Sequence, residues 1–326
     1  MPVTPRRRSA RRSAPAGCLL FLAVVALIIV VVILLWYLLA GRLRLPGPTP
    51  PGPKEPTSQP ASCPDVLMLS VPGTWESSSN DDPYNPSANP ISLMLNISNP
   101  IRERFPNERV EVYSVPYVAQ FSNPIAIPPD GQQSYNKSRS EGVARATDKL
   151  AQTHRECPLT TYVIAGFSQG AVIAGDLAAD IGAGKGPVPA DKVLGVTVIA
   201  DGRRIDGPGQ AIEVGNAPPG VGAEVALKGL NVPGITMTGP RPGFGELADR
   251  TYTICAPGDL ICDSPDQALN PVNFLSSVGT LVRAAGNPVH SLYHGYVVDD
   301  SGTTATQWTV NWAAGLIEGA PHPPHS

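Results

Sequence analysis

The sequence predicts an α/β protein with a largely parallel sheet, placed after a single N-terminal transmembrane helix. Beyond residue 62, short runs rich in Val and Ile alternate with helix-like stretches, which is typical of βαβ units. A run of 23 uncharged residues precedes this region, and a Pro-rich stretch separates the two. About 260 residues follow, a length that one domain can organise around a single hydrophobic core.

Five strands and four helices account for the alternation. The strands are predicted at residues 65–70, 110–114, 161–165, 193–200 and 251–255. The helices are predicted at residues 140–154, 169–181, 273–285 and 304–317. Because helices rather than tight turns separate most of the strands, we expect them to pair mainly in parallel.

The uncharged run at residues 18–40 is predicted to cross a membrane. The core of a signal peptide has ~7–15 residues, whereas a spanning helix needs ~20. Five Arg precede the run and two follow it, so residues 1–17 are expected in the cytoplasm and the rest of the chain outside. Cleavage of the segment and secretion of the remainder is the alternative.

The segments on either side of the folded region are expected to lack a core. Seven Pro occur in residues 46–62, so residues 41–62 are predicted to form an extended linker. Residues 63–318 are then predicted to form the α/β domain. Residues 319–326 are predicted to be a disordered tail, and no metal site is expected there.

The charge distribution excludes nucleic acid as a partner. The formal net charge of -3 combines seven Arg among the first 44 residues with 17 basic and 27 acidic residues in the remainder. The body of the chain therefore carries about -10 and has no Lys/Arg cluster that would neutralise a phosphate backbone.

Four cysteines follow the membrane segment, which indicates two disulfides outside the reducing cytoplasm. They are Cys63, Cys157, Cys255 and Cys262. Three pairings are possible; a 255–262 bond would close a short loop and leave a 63–157 bond to tie the start of the domain to its middle. None of the four forms a C-x-x-C pair, and no H-E-x-x-H occurs, so no zinc site and no cofactor are expected.

Gly166-Phe167-Ser168-Gln169-Gly170 matches the pattern G-x-S-x-G between a predicted strand and a predicted helix. That context is the one a nucleophile elbow requires. The glycines leave the Ser168 hydroxyl free and let the following backbone N–H groups face a substrate oxyanion. A glycine-rich turn with an incidental serine is the alternative.

A serine nucleophile needs a base and an acid. His290 and His294 are the candidate bases, because both lie in the loop NPVHSLYHGY after the elbow. Asp201 and Asp259 each follow a predicted strand, and the order Ser, Asp, His along the chain fits either. Asp259 is favoured because it lies on the later strand and between two cysteines, and Asp201 is interpreted as a capping or turn residue.

These residues resemble the cutinases, and specifically the membrane-anchored cutinase-like proteins of mycobacteria and related actinobacteria. The resemblance extends from Cys63 to about Tyr296. It rests on four motifs in order: CPDVLMLSVPGTWE, CP-x-TTYVIAGFSQGA, CAPGDLIC and the H-x-x-Y that begins at His290. It implies a three-layer α/β-hydrolase fold.

The resemblance also implies roles for individual residues. Ser168 would be the nucleophile, Asp259 the orienting acid and His290 the base, because His290 begins H-x-x-Y. The oxyanion hole would combine the backbone N–H of Gln169 with Thr74, and the disulfides would pair 63 with 157 and 255 with 262. Fungal cutinases have Arg-Gly-Ser-Thr-Glu where this chain has PGTWE at residues 72–76, which alters one oxyanion donor and brings a bulky Trp to the mouth.

The expected function is that of an extracytoplasmic serine esterase or lipase acting on acyl esters in the cell envelope. The resemblance implies carboxylesterase, phospholipase A or thioesterase activity, and a Ser-His-Asp triad suits acyl transfer of this kind. The alternatives are an acyltransferase that uses an envelope hydroxyl as acceptor, and a non-catalytic lipid-binding envelope protein. Trp75, Phe167 and Leu292 are candidates for an acyl slot, and a plain core role is equally open for them.

Overall fold

The computed structural model describes residues 16–39, 56–123, 126–266 and 287–326. The chain divides after residue 54 into two compact units. The first contains helix α1 (Ala16–Leu39), whose side chains are described at Phe21 and residues 23–36 and are exposed. No membrane-spanning helix is found among the residues that the structure describes, so the anchor at residues 18–40 stays a prediction.

The second unit is built on a six-stranded sheet of order β2-β1-β3-β4-β8-β5, in which every pairing is parallel. Its strands are β1 (Val66–Val71), β2 (Val110–Ser114), β3 (Thr161–Phe167), β4 (Val193–Ile199), β5 (Ile212–Glu213) and β8 (Thr251–Ile254). The central strands β1 and β3 are buried along their whole length, as strands covered on both faces are. The five predicted strands are confirmed.

Three elements of the sheet region were not predicted. They are β5 and a small antiparallel hairpin formed by β6 (Asn231–Val232) and β7 (Ile235–Thr236). All three lie in the connection between β4 and β8 and have two residues each. A two-residue strand is too short to show a hydrophobic period in the sequence.

Five α-helices surround the sheet in the described part of this unit. They are α2 (Leu95–Arg104), α3 (Tyr135–Glu156), α4 (Gln169–Gly182), α5 (Ala223–Ala226) and α6 (Ala305–Gly319). The predicted helices at 140–154, 169–181 and 304–317 correspond to α3, α4 and α6. The helix predicted at 273–285 lies outside the described residues. Neither α2, which contains Pro100, nor the four-residue α5 was predicted.

Alternate residues of the strands pack on opposite faces of the sheet and form two cores. Val66 and Met68 of β1 pack with α2 and α6, whereas Leu67 and Leu69 pack with α3 and α4. The predicted three-layer arrangement is therefore confirmed. A third cluster of apolar side chains, the third cluster, lies apart from both cores. Its members are Phe121, Tyr135, Leu227, Leu230, Val232, Ile235 and Met237.

The structure corrects the prediction of a disordered tail at residues 319–326. Nδ1 of His322 lies 2.9 Å and Nε2 of His325 3.0 Å from the carboxylate oxygens of Asp65, and Arg109 binds the same carboxylate at 2.7 Å. These contacts outweigh burial and hold the pKa of Asp65 below its usual value. Gln59 is also buried and pairs with the tail, so the folded unit begins before residue 63. Composition alone missed this because polar contacts with buried Asp65 and Arg109 anchor the tail, together with a single small apolar residue, Ala320, in the core.

Candidate active site

Ser168 occupies a sharp turn between β3 and α4. Its backbone has φ 55° and ψ -121°, a strained conformation for a residue other than glycine. The two neighbouring glycines permit close packing: a Cβ on Gly166 would lie 2.4 Å from the carbonyl oxygen of Gly170, and a Cβ on Gly170 2.1 Å from that of Val71. The elbow geometry predicted from G-x-S-x-G is therefore present.

A continuous hydrogen-bonded chain links Ser168, His290 and Asp259. Nε2 of His290 lies 2.8 Å from Oγ of Ser168, and Nδ1 lies 2.8 Å from Oδ2 of Asp259. His290 sits in a short 3-10 helix (Pro288–Ser291), and its ring stacks on Phe167 with a centroid distance of 4.9 Å. The three side chains thus have the arrangement in which an imidazole can take a proton from a serine.

Asp259 is fully buried beyond the end of β8 and is held by more than His290. Its Oδ2 accepts a hydrogen bond of 2.7 Å from the Tyr293 hydroxyl, and its Oδ1 accepts one of 3.0 Å from the backbone N–H of Ile261. The tyrosine is the last residue of H-x-x-Y, but its contact with the acid was not predicted. It explains why a tyrosine three residues after His290 is useful at this site.

The two predicted disulfides are present. Cys63 pairs with Cys157, and Cys255 pairs with Cys262. The second bond brackets the loop that carries Asp259, and the first joins the start of β1 to the end of α3. Among the described residues, no group of three or more His, Cys, Asp or Glu side chains is placed to hold a metal ion.

The loop after β1 carries Thr74. Thr74 and Gln169 both line the cavity at Ser168. The carboxylate of Glu76 fixes the loop by accepting hydrogen bonds from the backbone N–H groups of Gly73 (2.8 Å) and Leu93 (2.5 Å). Burial of this carboxyl group raises the pKa of Glu76.

The backbone of Gln169, rather than its side chain, is available to bind a substrate. Its amide side chain is already bound, accepting from the Ser138 hydroxyl at 2.7 Å and donating to the carbonyl oxygen of Gln120 at 3.3 Å. Gln169 is the first residue of α4, where backbone N–H groups have no partner within the helix. That N–H is therefore suited to bind a substrate oxygen.

Trp75 has a strained backbone at the cavity mouth. Its φ is 65°, rare for a bulky residue. The conformation is maintained by hydrogen bonds from its backbone N–H to Ala119 (2.6 Å) and from its indole N–H to Gln132 (2.7 Å). Trp75 and Phe167 line the cavity as candidates for the acyl slot, whereas Leu292 is exposed and does not line it.

The alternative candidates lie outside the hydrogen-bonded chain. His294 lines the cavity but contacts neither Ser168 nor an acid in the described structure. Asp201 is buried against Arg241, which donates to both carboxylate oxygens, and it also accepts from the backbone N–H of Arg203 at 3.0 Å. Asp201 therefore has the turn role expected of it, together with an ion pair that was not predicted.

We predict that Asp201→Asn lowers stability rather than the rate of a chemical step. Removing one carboxylate leaves buried Arg241 with Asp176, at 2.8 Å, as its only charged partner among the described residues. Breaking a buried pair costs about 3 kcal/mol of the free energy of unfolding, which urea titration measures. A variant of unchanged stability that had lost turnover would instead place Asp201 in the chemistry.

The cavity at Ser168 has a volume of about 460 Å³ and is lined mainly by apolar side chains. Apolar residues on its walls include Trp75, Ile91, Leu93, Phe121, Tyr135, Phe167, Val172, Ala223, Met237 and Ile261. The volume lies within the range of roughly 300–1,000 Å³ typical of small-molecule sites. An apolar ligand with a reactive polar group fits such a lining.

Comparison with known proteins places this chain among esterases. A model of the family Cutinase matches residues 85–281. The Carboxylesterase Culp6 homolog of Corynebacterium glutamicum is 49% identical over 271 residues, which cover 81% of this chain and 84% of that protein. The Probable carboxylesterase Culp5 of Mycobacterium tuberculosis is 28% identical over 170 residues, which cover 50% of this chain and 77% of that protein.

Solved structures align with this chain at low sequence identity. The catalytic core domain of acetyl xylan esterase from Trichoderma reesei aligns with a TM-score of 0.49 and 18% identity, over 79% of this chain and 100% of that one. A cutinase-like protein from Cryptococcus sp. aligns with a TM-score of 0.47 and 16% identity, over 81% and 100%.

Proposed function

We propose that this chain, which belongs to the cutinase family and is a carboxylic ester hydrolase, cleaves acyl esters by covalent catalysis at Ser168. The observation that carries the proposal is the hydrogen-bonded chain from Ser168 through His290 to Asp259, with two distances of 2.8 Å. The apolar cavity at the serine supports lipid acyl esters as substrates.

The reaction proceeds in two halves. Oγ of Ser168 attacks the acyl carbonyl carbon while Nε2 of His290 takes its proton, and the carbonyl electron pair moves onto oxygen. The tetrahedral intermediate collapses, the alcohol leaves with the proton from His290, and an acyl-serine remains. Water then attacks the acyl-serine with His290 as base, which releases the carboxylic acid and restores Ser168.

Asp259 orients the imidazole and stabilises its charged form. The carboxylate lies 2.8 Å from Nδ1 of His290, which directs Nε2 at the serine. The hydroxyl of Tyr293 and the backbone N–H of Ile261 hold the carboxylate itself. The acid is therefore fixed before substrate arrives.

The backbone N–H of Gln169 and the hydroxyl of Thr74 are the groups that we assign to stabilise the negative charge on the substrate oxygen. We predict that Thr74→Ala lowers kcat by roughly 10²–10³-fold, the usual effect of losing one oxyanion donor. Thr74→Ser retains the hydroxyl and should keep most of the activity. Steady-state kinetics on a p-nitrophenyl ester measures both variants, and an equal loss in the two would show that the hydroxyl is not the donor.

The substrate class is tested with the full chain in detergent. Parallel assays use p-nitrophenyl acyl esters, a diacyl phospholipid and an acyl-CoA thioester, and they measure the carboxylic acid released. Turnover of at least the simple esters is expected, and its absence from every assay would contradict the proposal. Transfer of the acyl group to an added alcohol, detected as a new ester by mass spectrometry, would indicate an acyltransferase instead.

The membrane anchor belongs to the same proposal. It is supported by the 23 uncharged residues at 18–40, the five Arg before them and two disulfides, which persist in oxidising compartments. In cells, the full chain should stay in membranes washed with alkaline carbonate, whereas a chain lacking residues 1–44 should not. Equal release of both would contradict the anchor.

A further inference from the structure

The connection between β2 and α3 binds the loop after β1 through several hydrogen bonds. The hydroxyl of buried Tyr117 donates to the carbonyl oxygen of Pro72 at 2.6 Å. The carbonyl oxygen of Ala119 accepts from the backbone N–H of Trp75 at 2.6 Å, and the side-chain oxygen of Gln132 accepts from the indole N–H of Trp75 at 2.7 Å. The loop is therefore held on both sides of its threonine.

The same connection also binds Gln169, whose backbone N–H is the other proposed oxyanion donor. The carbonyl oxygen of Gln120 accepts a hydrogen bond of 3.3 Å from the side-chain nitrogen of Gln169. The hydroxyl of Ser138, in α3, donates to the side-chain oxygen of Gln169 at 2.7 Å and accepts from the backbone N–H of Gln120 at 3.0 Å. Because Ser138 and Gln169 are buried, this closed ring of hydrogen bonds is shielded from water.

Consecutive carbonyl groups thus hold the two halves of the proposed oxyanion hole. The carbonyl of Ala119 binds the residue that follows Thr74, and the carbonyl of Gln120 binds Gln169. Ala119 is fully buried with φ 49°, and its partner Trp75 has φ 65°. Such conformations are rare for residues other than glycine and persist only where the surrounding structure fixes them.

The spacing of the two donors affects the rate because an oxyanion hole acts by preorganisation. Each donor must lie about 2.7–3.1 Å from the position that the oxyanion will occupy. A displacement of about 1 Å can lower the rate by roughly 10²-fold. Residues that bind both donor segments therefore influence the rate even though, in the described structure, they do not line the cavity.

We propose that residues of this connection and of the first turn of α3 form a brace that sets the spacing of the two oxyanion donors. The brace consists of Tyr117, Ala119, Gln120, Gln132 and Ser138. This inference rests on the proposed function, because it takes Thr74 and Gln169 as the donors. The members of the brace are positioning residues, and they add no chemical step.

Gln132→Leu tests the side of the brace that holds Thr74. It removes the acceptor of the indole N–H of Trp75 and should lower kcat on p-nitrophenyl butyrate by about tenfold, with KM little changed, because a displaced donor weakens binding of the transition state. Gln132→Glu keeps an oxygen acceptor and should retain most of the activity. Gln133→Leu is the matched control, since the side chain of this neighbour makes no hydrogen bond to Trp75 in the described part of the chain.

Ser138→Ala tests the side of the brace that holds Gln169. It removes the hydroxyl that joins Gln120 to Gln169, and kcat should again fall by about tenfold with little change in KM. Ser98→Ala is the matched control: Ser98 is also a fully buried serine of a helix, but its hydroxyl accepts from Arg102 at 3.1 Å. Both controls should keep the kcat of the wild type.

A transition-state analogue separates positioning from a general loss of stability. Oγ of Ser168 adds reversibly to the carbonyl carbon of an alkyl trifluoromethyl ketone, and the resulting oxyanion occupies the hole. The inhibition constant of the ketone for the full chain in detergent should therefore rise by the same factor by which kcat falls. A merely structural role would instead lower the urea midpoint and leave kcat and the inhibition constant of the folded chain unchanged.

Half-buried Gln132 decides the test if Ser138→Ala does not fold. An inhibition constant that is unchanged in Gln132→Leu, or that rises equally in the Gln133 control, would overturn the brace. A wild-type chain inactive on every ester would instead contradict the proposed function, so the two failures are distinguishable.

Discussion

Ser168→Ala is expected to lower kcat by on the order of 10⁶-fold, with KM little changed. The alanine cannot form the acyl intermediate, while the cavity and the Gln169 N–H remain to bind substrate. Some acceleration over the uncatalysed reaction should survive, because the oxyanion hole still acts. Turnover of p-nitrophenyl butyrate by the full chain in detergent measures the loss, and circular dichroism verifies the fold.

Ser114→Ala is the matched control. Ser114 is also buried and is the last residue of β2, but its hydroxyl accepts a hydrogen bond of 3.1 Å from Arg102, away from the cavity lining. This variant should retain the activity of the wild type. Comparable turnover by the Ser168 and Ser114 variants would contradict a nucleophilic role for Ser168.

His290→Ala is expected to lower kcat nearly as much as Ser168→Ala. The serine is then left without the base that it needs for its attack, so the two residues act as a unit. Oγ of Ser168 loses its 2.8 Å partner, and Asp259 has no imidazole to orient. The measurement is kcat on the same ester, over a range of pH wide enough to exclude a mere shift of the optimum.

His294→Ala separates the two histidines of the loop NPVHSLYHGY. His294 also lines the cavity but has no contact with Ser168 in the described structure. Its removal should keep kcat within about tenfold of the wild type, the scale of a lost modest contact rather than of a lost base. The reverse order of effects would assign the base to His294.

Much of the site was predictable because its signals are local. The buried strand β3, the glycines at 166 and 170 and the helix α4 lie within one stretch of sequence, and each reflects a short-range packing demand. The choice of His290 over His294 was not decided by the residues alone, since both are histidines of one loop. The choice rested on the family resemblance, in which the base begins H-x-x-Y. The contact of Tyr293 with Asp259 supplies a physical reason for that pattern.

What escaped prediction depends on contacts between distant residues. His322 contacts Asp65, which is 257 residues away in the sequence, and Arg241 binds Asp201, which is 40 residues away. Neither pair therefore produces a local sequence pattern. The third cluster is assembled from Phe121, which lies between β2 and α3, from the first residue of α3 and from a connection whose strands have only two residues. Its existence, and with it the shape of the cavity, follows from the packing of these segments in the tertiary structure.

The most direct test of the account is covalent labelling of the full chain with a fluorophosphonate, followed by peptide mass spectrometry. We predict one adduct per chain, on the peptide that contains Ser168, with ester hydrolysis lost in proportion to labelling. Ser168→Ala should take up no label. An active chain that resists the reagent, or one labelled at another residue with the same loss of activity, would contradict Ser168 as the nucleophile.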